Sequence, residues 1–458
     1  MELRDSLTII YVPFEFSEDT NLEAMFDNSE NWIRQTDLEI VENKLYTYAS
    51  QFMSGKNMSE DGALIYRIKE NAVCSFMNNK QYVLLCGAKK DVRYNFRFCY
   101  SKNLTAPHII IYPHCPVGVL MFGVELGNTD GSMTLDDLAK FNYYLHKLDK
   151  QRPSIILDKS CDKKGILAEK LYGGSENGTC MLDLCKKMLS EQICQSVKFL
   201  EPNRMHLFTY LQTVDMGDLD IVAFKETLVQ IASAETNAYQ VTTSPPQPVE
   251  LFRNIYLCSR NEGGVMATIL TPGCNMPFFE NYKKDQFVTE YLWIYTFLIM
   301  QYYAMIRFTN YLYRPVEYQN VDKTINQLWQ IKKHIFVCIS RYTHINKFYD
   351  TIVRNIGLRS LLEMLDENYN YMNNQNQTRI GEQTNTIITF LTVSQVVFAI
   401  FSFLSISVSW SELKSEPLMY VILLILGVVW IAACIFMLFK HWSLIYSSFR
   451  FNKNKYKP

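Results

Sequence analysis

Apolar and polar positions follow two different periods along this chain, and the change of period divides it. Up to about residue 275, short runs rich in β-branched and aromatic residues recur at 7–14, 63–68, 82–86, 92–100, 108–112, 117–125 and 204–211, which predicts strands. Helical patterns intervene at 135–148, 181–192 and 219–231, the last two with apolar residues three and four apart. Runs 252–258 and 265–269 are joined by 259–264 and predict a hairpin, whose Gly263-Gly264 pair would supply the positive φ angles of a tight turn. The three prolines of 242–248 mark a loop ahead of it. Residues 1–277 therefore read as an α+β domain with a mixed sheet.

Beyond residue 278 the period is helical. Residues 279–313 lack Pro and Gly, Pro315 is suited to open the next helix, and no proline follows until Pro417. Within that stretch the only glycines are Gly357 and Gly381. This predicts long stalk helices over 278–386, with a turn near 343–346 and a final helix of roughly 60 residues, about 90 Å long. Ile345, Phe348, Ile352, Ile356, Leu361, Leu365, Tyr369 and Met372 keep three- and four-residue spacing, as in a seam between packed helices.

The strongest pattern lies at the end. Two uncharged apolar runs, 387–408 and 418–439, are separated by nine residues, and each is long enough to cross a hydrocarbon core of about 30 Å. They predict a two-helix transmembrane hairpin over 387–440, followed by a basic cytosolic tail over 441–458. Lys440, Arg450, Lys453, Lys455 and Lys457 follow the second run without an acid, so the positive-inside bias puts both termini in the cytoplasm of a prokaryotic inner membrane, with membrane lipid as a partner. The run 291–306 is apolar but short, holds Gln301, and is fenced by Glu290 and Arg307, so it is read as a buried or interfacial helix rather than a third span. Charged residues within 1–6, followed by Pro13 and Glu15, predict no cleavable leader.

Composition narrows the classes further. The 458 residues carry 45 basic and 46 acidic side chains without a dense cationic cluster outside the tail, which argues against nucleic acid as a partner. The 12 cysteines contain no C-x-x-C, and the tightest group, Cys180, Cys185 and Cys194 with Cys161 upstream, has the wrong spacing for a zinc site; reduced thiols and no metal site are expected.

The first apolar run has two unlike sides. Asn385, Ile388, Thr392, Gln395, Ala399, Ser402, Ile406 and Ser409 fall on one stripe, against Phe390, Val393, Val397, Phe401 and Leu404 on the other. Helix packing through small residues explains such a stripe; a pore lined by the first helix of several subunits also explains it, since lipid cannot satisfy amides or hydroxyls. Nine Asn or Gln residues within 368–385 precede the stripe, and rings of amide oxygens can receive a hydrated cation.

This layout resembles the CorA-like divalent cation channels. Thr384-Asn385 and Leu391-Thr392 look like the T-N-(x)5-L-T run at the cytoplasmic mouth of that family's pore, while its selectivity tripeptide Gly-Met-Asn is replaced by Ser409-Trp410-Ser411 and its acidic ring position by Asn374. The resemblance implies a homo-oligomer, a pentamer by the family rule, lined by the stripe with Asn374 and Leu391, its outer mouth at Trp410, Ser411, Glu412 and Glu416. The added cytosolic residues make it similar to a branch found beside type III CRISPR systems. For that branch the expectation is an antiviral effector channel gated by a nucleotide second messenger of the S-adenosylmethionine-AMP type, with no covalently bound cofactor and no identified ligand pocket. A constitutive transporter of magnesium or another divalent ion is the alternative. A membrane-anchored enzyme ranks below both: H-E-x-x-H, G-x-S-x-G and phosphate-loop motifs are missing, the glycine-rich 173–179 lacks the Lys-Ser/Thr of a phosphate loop, and the Asp136-Asp137 pair opens a helix, where it complements the dipole.

Overall fold

The computed structural model describes residues 1–17, 21–35, 44–53, 62–69, 81–86, 92–99, 106–112, 115–127, 133–146, 154–157, 179–189, 191–200, 205–215, 220–234, 247–261, 263–271, 284–312 and 321–407, together with 421, 425, 427 and 428. They fall into two units, Met1–Tyr369 and Asn370–Pro458. In chain order the elements of the first are β1 (Leu3–Phe16), α1 (Leu22–Asp27), β2 (Trp32–Arg34), α2 (Thr47–Met53), β3 (Leu64–Ile68), β4 (Gln81–Cys86), β5 (Val92–Cys99), β6 (His108–Ile111), β7 (Val117–Leu126), α3 (Leu135–His146) and β8 (Ser154–Leu157). There follow α4 (Met181–Leu189), α5 (Glu191–Ser196), β9 (Val197–Phe199), β10 (His206–Val214), α6 (Ile221–Ser233), β11 (Val249–Phe252), β12 (Ile255–Ser259) and β13 (Gly263–Leu270). A π-turn (Phe287–Tyr291) then leads into α7 (Leu292–Leu312), α8 (Val321–Lys333), α9 (Thr343–Asn355) and α10 (Leu358–Ser407), which continues into the second unit.

The strands form one mixed sheet in the order β11-β12-β13-β10-β1-β7-β5-β4-β8, with β6 joining β7 to β3 and β2, and β9 pairing with β1. Among the described pairs only β10 and β13 run parallel. The 14 residues of β1 lie between β10 and β7, and its alternation sends Ile10, Val12 and Phe14 to one face and Leu7, Ile9 and Tyr11 to the other. On the first face β1 shares a core with α3, α4 and α6; on the second with α7, α9 and the base of α10. The α+β class with a mixed sheet is thus the architecture of the first unit.

Helix α7 shows why 291–306 is so apolar. Its Leu292 to Met300 are all at most 1% exposed, lying over β7 and β1 within the second core. A helix apolar all round is a buried helix. The turn expected near 343–346 is displaced: those residues open α9, and the break between helices falls at 334–342. The long final helix starts only after Gly357, at φ +70°, a backbone that glycine adopts without strain. It is described over 50 residues, and the residues that follow Ser407 directly lie outside the described set.

The expected C-terminal transmembrane hairpin, and with it the multi-pass inner-membrane location with both termini cytoplasmic, is corrected. Among the described residues no helix is long and apolar enough to cross a membrane. Within α10 the run beyond residue 386 is interrupted by Thr389, Thr392, Ser394, Gln395 and Ser402, which lowers its apolar content. The loop 409–417, the tail 441–458 and all of the second run except Val421, Ile425, Gly427 and Val428 lie outside the described residues, as do Ser409, Trp410, Ser411, Glu412, Glu416, Cys161 and the loop 173–178.

Candidate functional site

Two places carry chemistry: one face of α10 in the second unit, and one end of the sheet in the first. On α10 the half-covered or buried positions between 384 and 399 are Ile387, Phe390, Ser394 and Val397, at a 3-4-3 spacing. At 100° per residue the opposite face carries Asn385, Ile388, Thr392 and Ala399, with Gln395 and Ser402 on its flank, and all six are exposed. Ile388 is 54% exposed and Leu391, beside the stripe, 50%. Asn374 is also exposed; Ile406 is helical, and its side chain is outside the described set. The stripe extends upstream without a break in step: Tyr371, Asn374, Thr378, Gly381, Asn385, Ile388, Thr392, Gln395, Ala399 and Ser402 alternate three and four residues, a heptad seam without a charge. Hydroxyls on α10 are turned onto their own backbone. Thr378 Oγ1 donates to the Asn374 carbonyl at 2.9 Å and Thr392 Oγ1 to that of Ile388 at 2.8 Å, so both present methyl groups outward.

The sheet end has no counterpart in the sequence reading. On the face covered by α7, the level beyond Leu7, Gly123 and Tyr210 turns polar across five adjacent strands. Asp5 on β1 pairs in register with Gln212 on β10, and Gln212 with Thr268 on β13, while Arg97 on β5 faces Glu125 on β7. Lys284, one turn before the π-turn, reaches down onto this row, with Nζ 2.8 Å from Asp5 Oδ2 and 3.0 Å from Glu125 Oε1. Arg97 Nη2 lies 2.6 Å from Glu125 Oε2, and the Cys99 thiol donates to Glu125 Oε1 at 3.5 Å. Behind the ions, Gln212 Nε2 donates to Tyr210 Oη at 2.7 Å and Tyr210 Oη to Thr268 Oγ1 at 3.4 Å.

Electrostatics at this row are decided by pairing rather than burial. Burial pushes the Glu125 carboxyl up, but Lys284 and Arg97 outweigh it and hold the group below the usual carboxylate range. Burial would lower Lys284, and Asp5 and Glu125 raise it instead. Burial brings the Tyr210 phenol to about 12 against the bonds from Thr268 and Gln212, so it stays a neutral donor. The row can orient and hold a polar group. Glu125 contributes stability above its unfolded pKa near 4.3 that is lost as pH falls through its lower folded value, and Lys284 contributes below about 10.4 and loses it as pH rises through its higher one. Lys284→Met is expected to lower unfolding stability by about 1–2 kcal/mol at pH 7. The loss should shrink as pH falls through the lowered folded value of Glu125, where that carboxylate takes its proton; urea midpoints at pH 7 and at acid pH check both parts.

A second polar group sits at the other end of the π-turn. Glu290, 7% exposed, is salt-bridged by Lys44, accepts from Gln286 Nε2 at 3.1 Å and has His344 Nε2 at 3.9 Å. The chemistry expected of the cysteines and of Asp136-Asp137 stays local. The eight described cysteines form no disulfide, and no group of three or more His, Cys, Asp or Glu among the described residues could hold a metal ion. Asp136 pairs with Lys140 one turn on, and Asp137 caps α3 through Thr134.

Compared with known proteins, the chain matches no family model, no curated protein and no solved structure.

Proposed function

We propose that the protein is a non-catalytic homo-oligomer whose copies associate along the α10 seam, with the α+β unit as the regulatory part that answers a small-molecule ligand. The observation that carries this reading is the seam itself: ten positions from Tyr371 to Ser402 in unbroken heptad step, exposed and uncharged. A surface helix of a monomer gains nothing from keeping Ile388 on this stripe, and Leu391 beside it, each at least half exposed. A second copy covers them. Over 32 residues the seam runs about 48 Å and presents roughly 500 Å² per copy, so a pair buries about 1,000 Å², the lower bound of a specific interface. In a parallel, in-register arrangement Asn374, Asn385 and Gln395 meet their own counterparts, and amides in such layers fix register and oligomer state at some cost in stability. Gly381 supports close approach: a side chain there would meet nothing within the chain, so the fold of one copy has no need of a glycine.

The messenger of the S-adenosylmethionine-AMP type that the resemblance implies is the ligand we propose for the regulatory part, and five is the subunit number on the same basis. Ion conduction is not part of the proposal, because it needs a hairpin that the described residues do not supply. Mass photometry of the full chain in detergent-free buffer tests the assembly. One discrete species larger than the monomer is expected, with Ile388→Asp combined with Ala399→Asp shifting it to monomer and Val393→Asp, off the seam, leaving it in place. A monomeric wild type, a species indifferent to the seam charges, or recovery only as a detergent-bound monomer overturns the reading.

A further inference from the structure

The segment that enters α7 is not one regular helix. Residues 284–286 are α-helical, Phe287–Tyr291 form the π-turn with the Leu292 N–H bonding back to the Phe287 carbonyl, and α7 follows. A π-turn holds one residue more than an α-turn, is rare, and recurs where a helix has to serve two constraints. Here the constraints are visible on both flanks. Lys284 is fixed to the sheet through Asp5 and Glu125, and Glu290, six residues on, to Lys44 and His344. In a continuous α-helix every residue is turned 100° from the last, so removing the extra residue rotates one flank by about 100° relative to the other. With the bulge in place both clusters are closed.

We infer that the π-turn is a two-register coupling element between the sheet-end polar row and the base of the long helix. In the observed register both ion clusters are closed; in the α-helical register Lys284 swings away from Asp5 and Glu125 while Glu290 keeps its partners. The turn is wired to the helices beyond it. Tyr291 packs on Phe348 of α9, with ring centroids 4.8 Å apart, and Phe287 stacks on Tyr210, at 5.0 Å, directly behind the polar row. A polar ligand that competes for Asp5 or Glu125 therefore releases Lys284, relaxes the bulge and displaces Tyr291 against α9, which leads through Gly357 into α10. The coupling concerns the first unit alone and stands or falls apart from the assembly reading, although it would give that assembly its regulation.

Lys284 and Lys44 do not share a partner, so two independent ion pairs would act additively. Amide hydrogen exchange of the full chain, read at residues 287–292, is the test. Lys284→Met and Lys44→Met are each expected to speed exchange there about tenfold or more. The double variant is expected to fall short of the product of the two factors by at least threefold, because once the bulge has relaxed the second change has less to release. A double variant within threefold of the product overturns the coupling. Asp5→Asn opens the Lys284 contact from the sheet side and replaces Lys284→Met should that variant not fold. If the shortfall is found in a chain that is monomeric by mass photometry, the coupling holds and the assembly reading fails.

Discussion

Acidification from pH 7 to pH 4 is expected to unfold the α+β unit, with most of the loss above the range where carboxylates titrate. Two histidines set this. Burial lowers His108 to about 4, with the Ala106 carbonyl pulling the other way and Arg67 adding to the fall. Burial lowers His206 to about 3, assisted by nearby His146 and opposed by the backbone at Asn261. Burial keeps both neutral in the fold: His108 lies against the Trp293 edge, and His206 has Nε2 2.6 Å from Tyr295 Oη in the second core. In the unfolded chain each takes a proton near pH 6.5. A folded pKa below the unfolded one means the unfolded state binds the proton first, so stability falls as pH drops below 6.5 and keeps falling to the folded value. At 1.36 kcal/mol per unit the two sites together remove about 6 kcal/mol by pH 4, the size of a whole domain's net stability. Urea midpoints at pH 7, 5.5 and 4.5 measure the slope. His206→Phe, which keeps a ring beside Tyr11 and Tyr295, should cost stability at pH 7 and flatten the slope by about half. An unchanged slope in that variant would show that the histidines do not drive the transition. The Glu125 contribution is lost only at lower pH, which separates the two effects.

Strands were legible in the sequence wherever a β-branched or aromatic run was bounded by polar residues, as in β1, β4, β7 and β10, because burial on both sheet faces leaves near-continuous apolar runs. Their order was not. Asp5, Glu125 and Lys284 are separated by more than a hundred residues each, and only the β1–β7 register and the approach to α7 bring them together. The one local hint was a charge at the end of a strand run, Glu125 closing 117–125, which is equally the ordinary edge of a strand. The α10 stripe was legible because it depends on helical spacing alone, and spacing survives whatever surrounds the helix. The membrane reading failed at the next step: it took the absence of charge over a sufficient length as enough, whereas crossing needs a helix that is both long and apolar enough, which the described residues do not provide. The π-turn had no signal, since one extra residue leaves the apolar period of 287–300 intact.

Gly263→Ala is expected to destabilise the protein by about 3 kcal/mol or more, a large effect for one methyl group. The sequence reading gave Gly263 and Gly264 to the tip of a tight turn with positive φ. They are instead the first two residues of β13, and among the described glycines only Gly357 has a positive φ. What they supply is closeness. A Cβ at Gly263 would stand 2.6 Å from the Leu207 carbonyl oxygen and 3.0 Å from that of Ala232, and neither is the free end of a side chain. Leu207 is its parallel ladder partner and Ala232 lies in the last turn of α6, so relief has to come from spreading β13 from β10 or lifting α6 off the sheet. Either opens the parallel pair among the described strands and loosens Gly264, whose own Cβ would meet the Phe208 ring at 2.9 Å and Tyr295 Oη at 3.0 Å, beneath a ring stack of 3.8 Å. The same displacement would move Thr268, five residues along β13, out of register with Gln212. Gly263→Ala should therefore both lower the urea midpoint and raise amide exchange at 209–213. A variant within 0.5 kcal/mol of wild type would mean that the strand pair yields freely, and that a turn, not a close approach, is what this glycine pair is for.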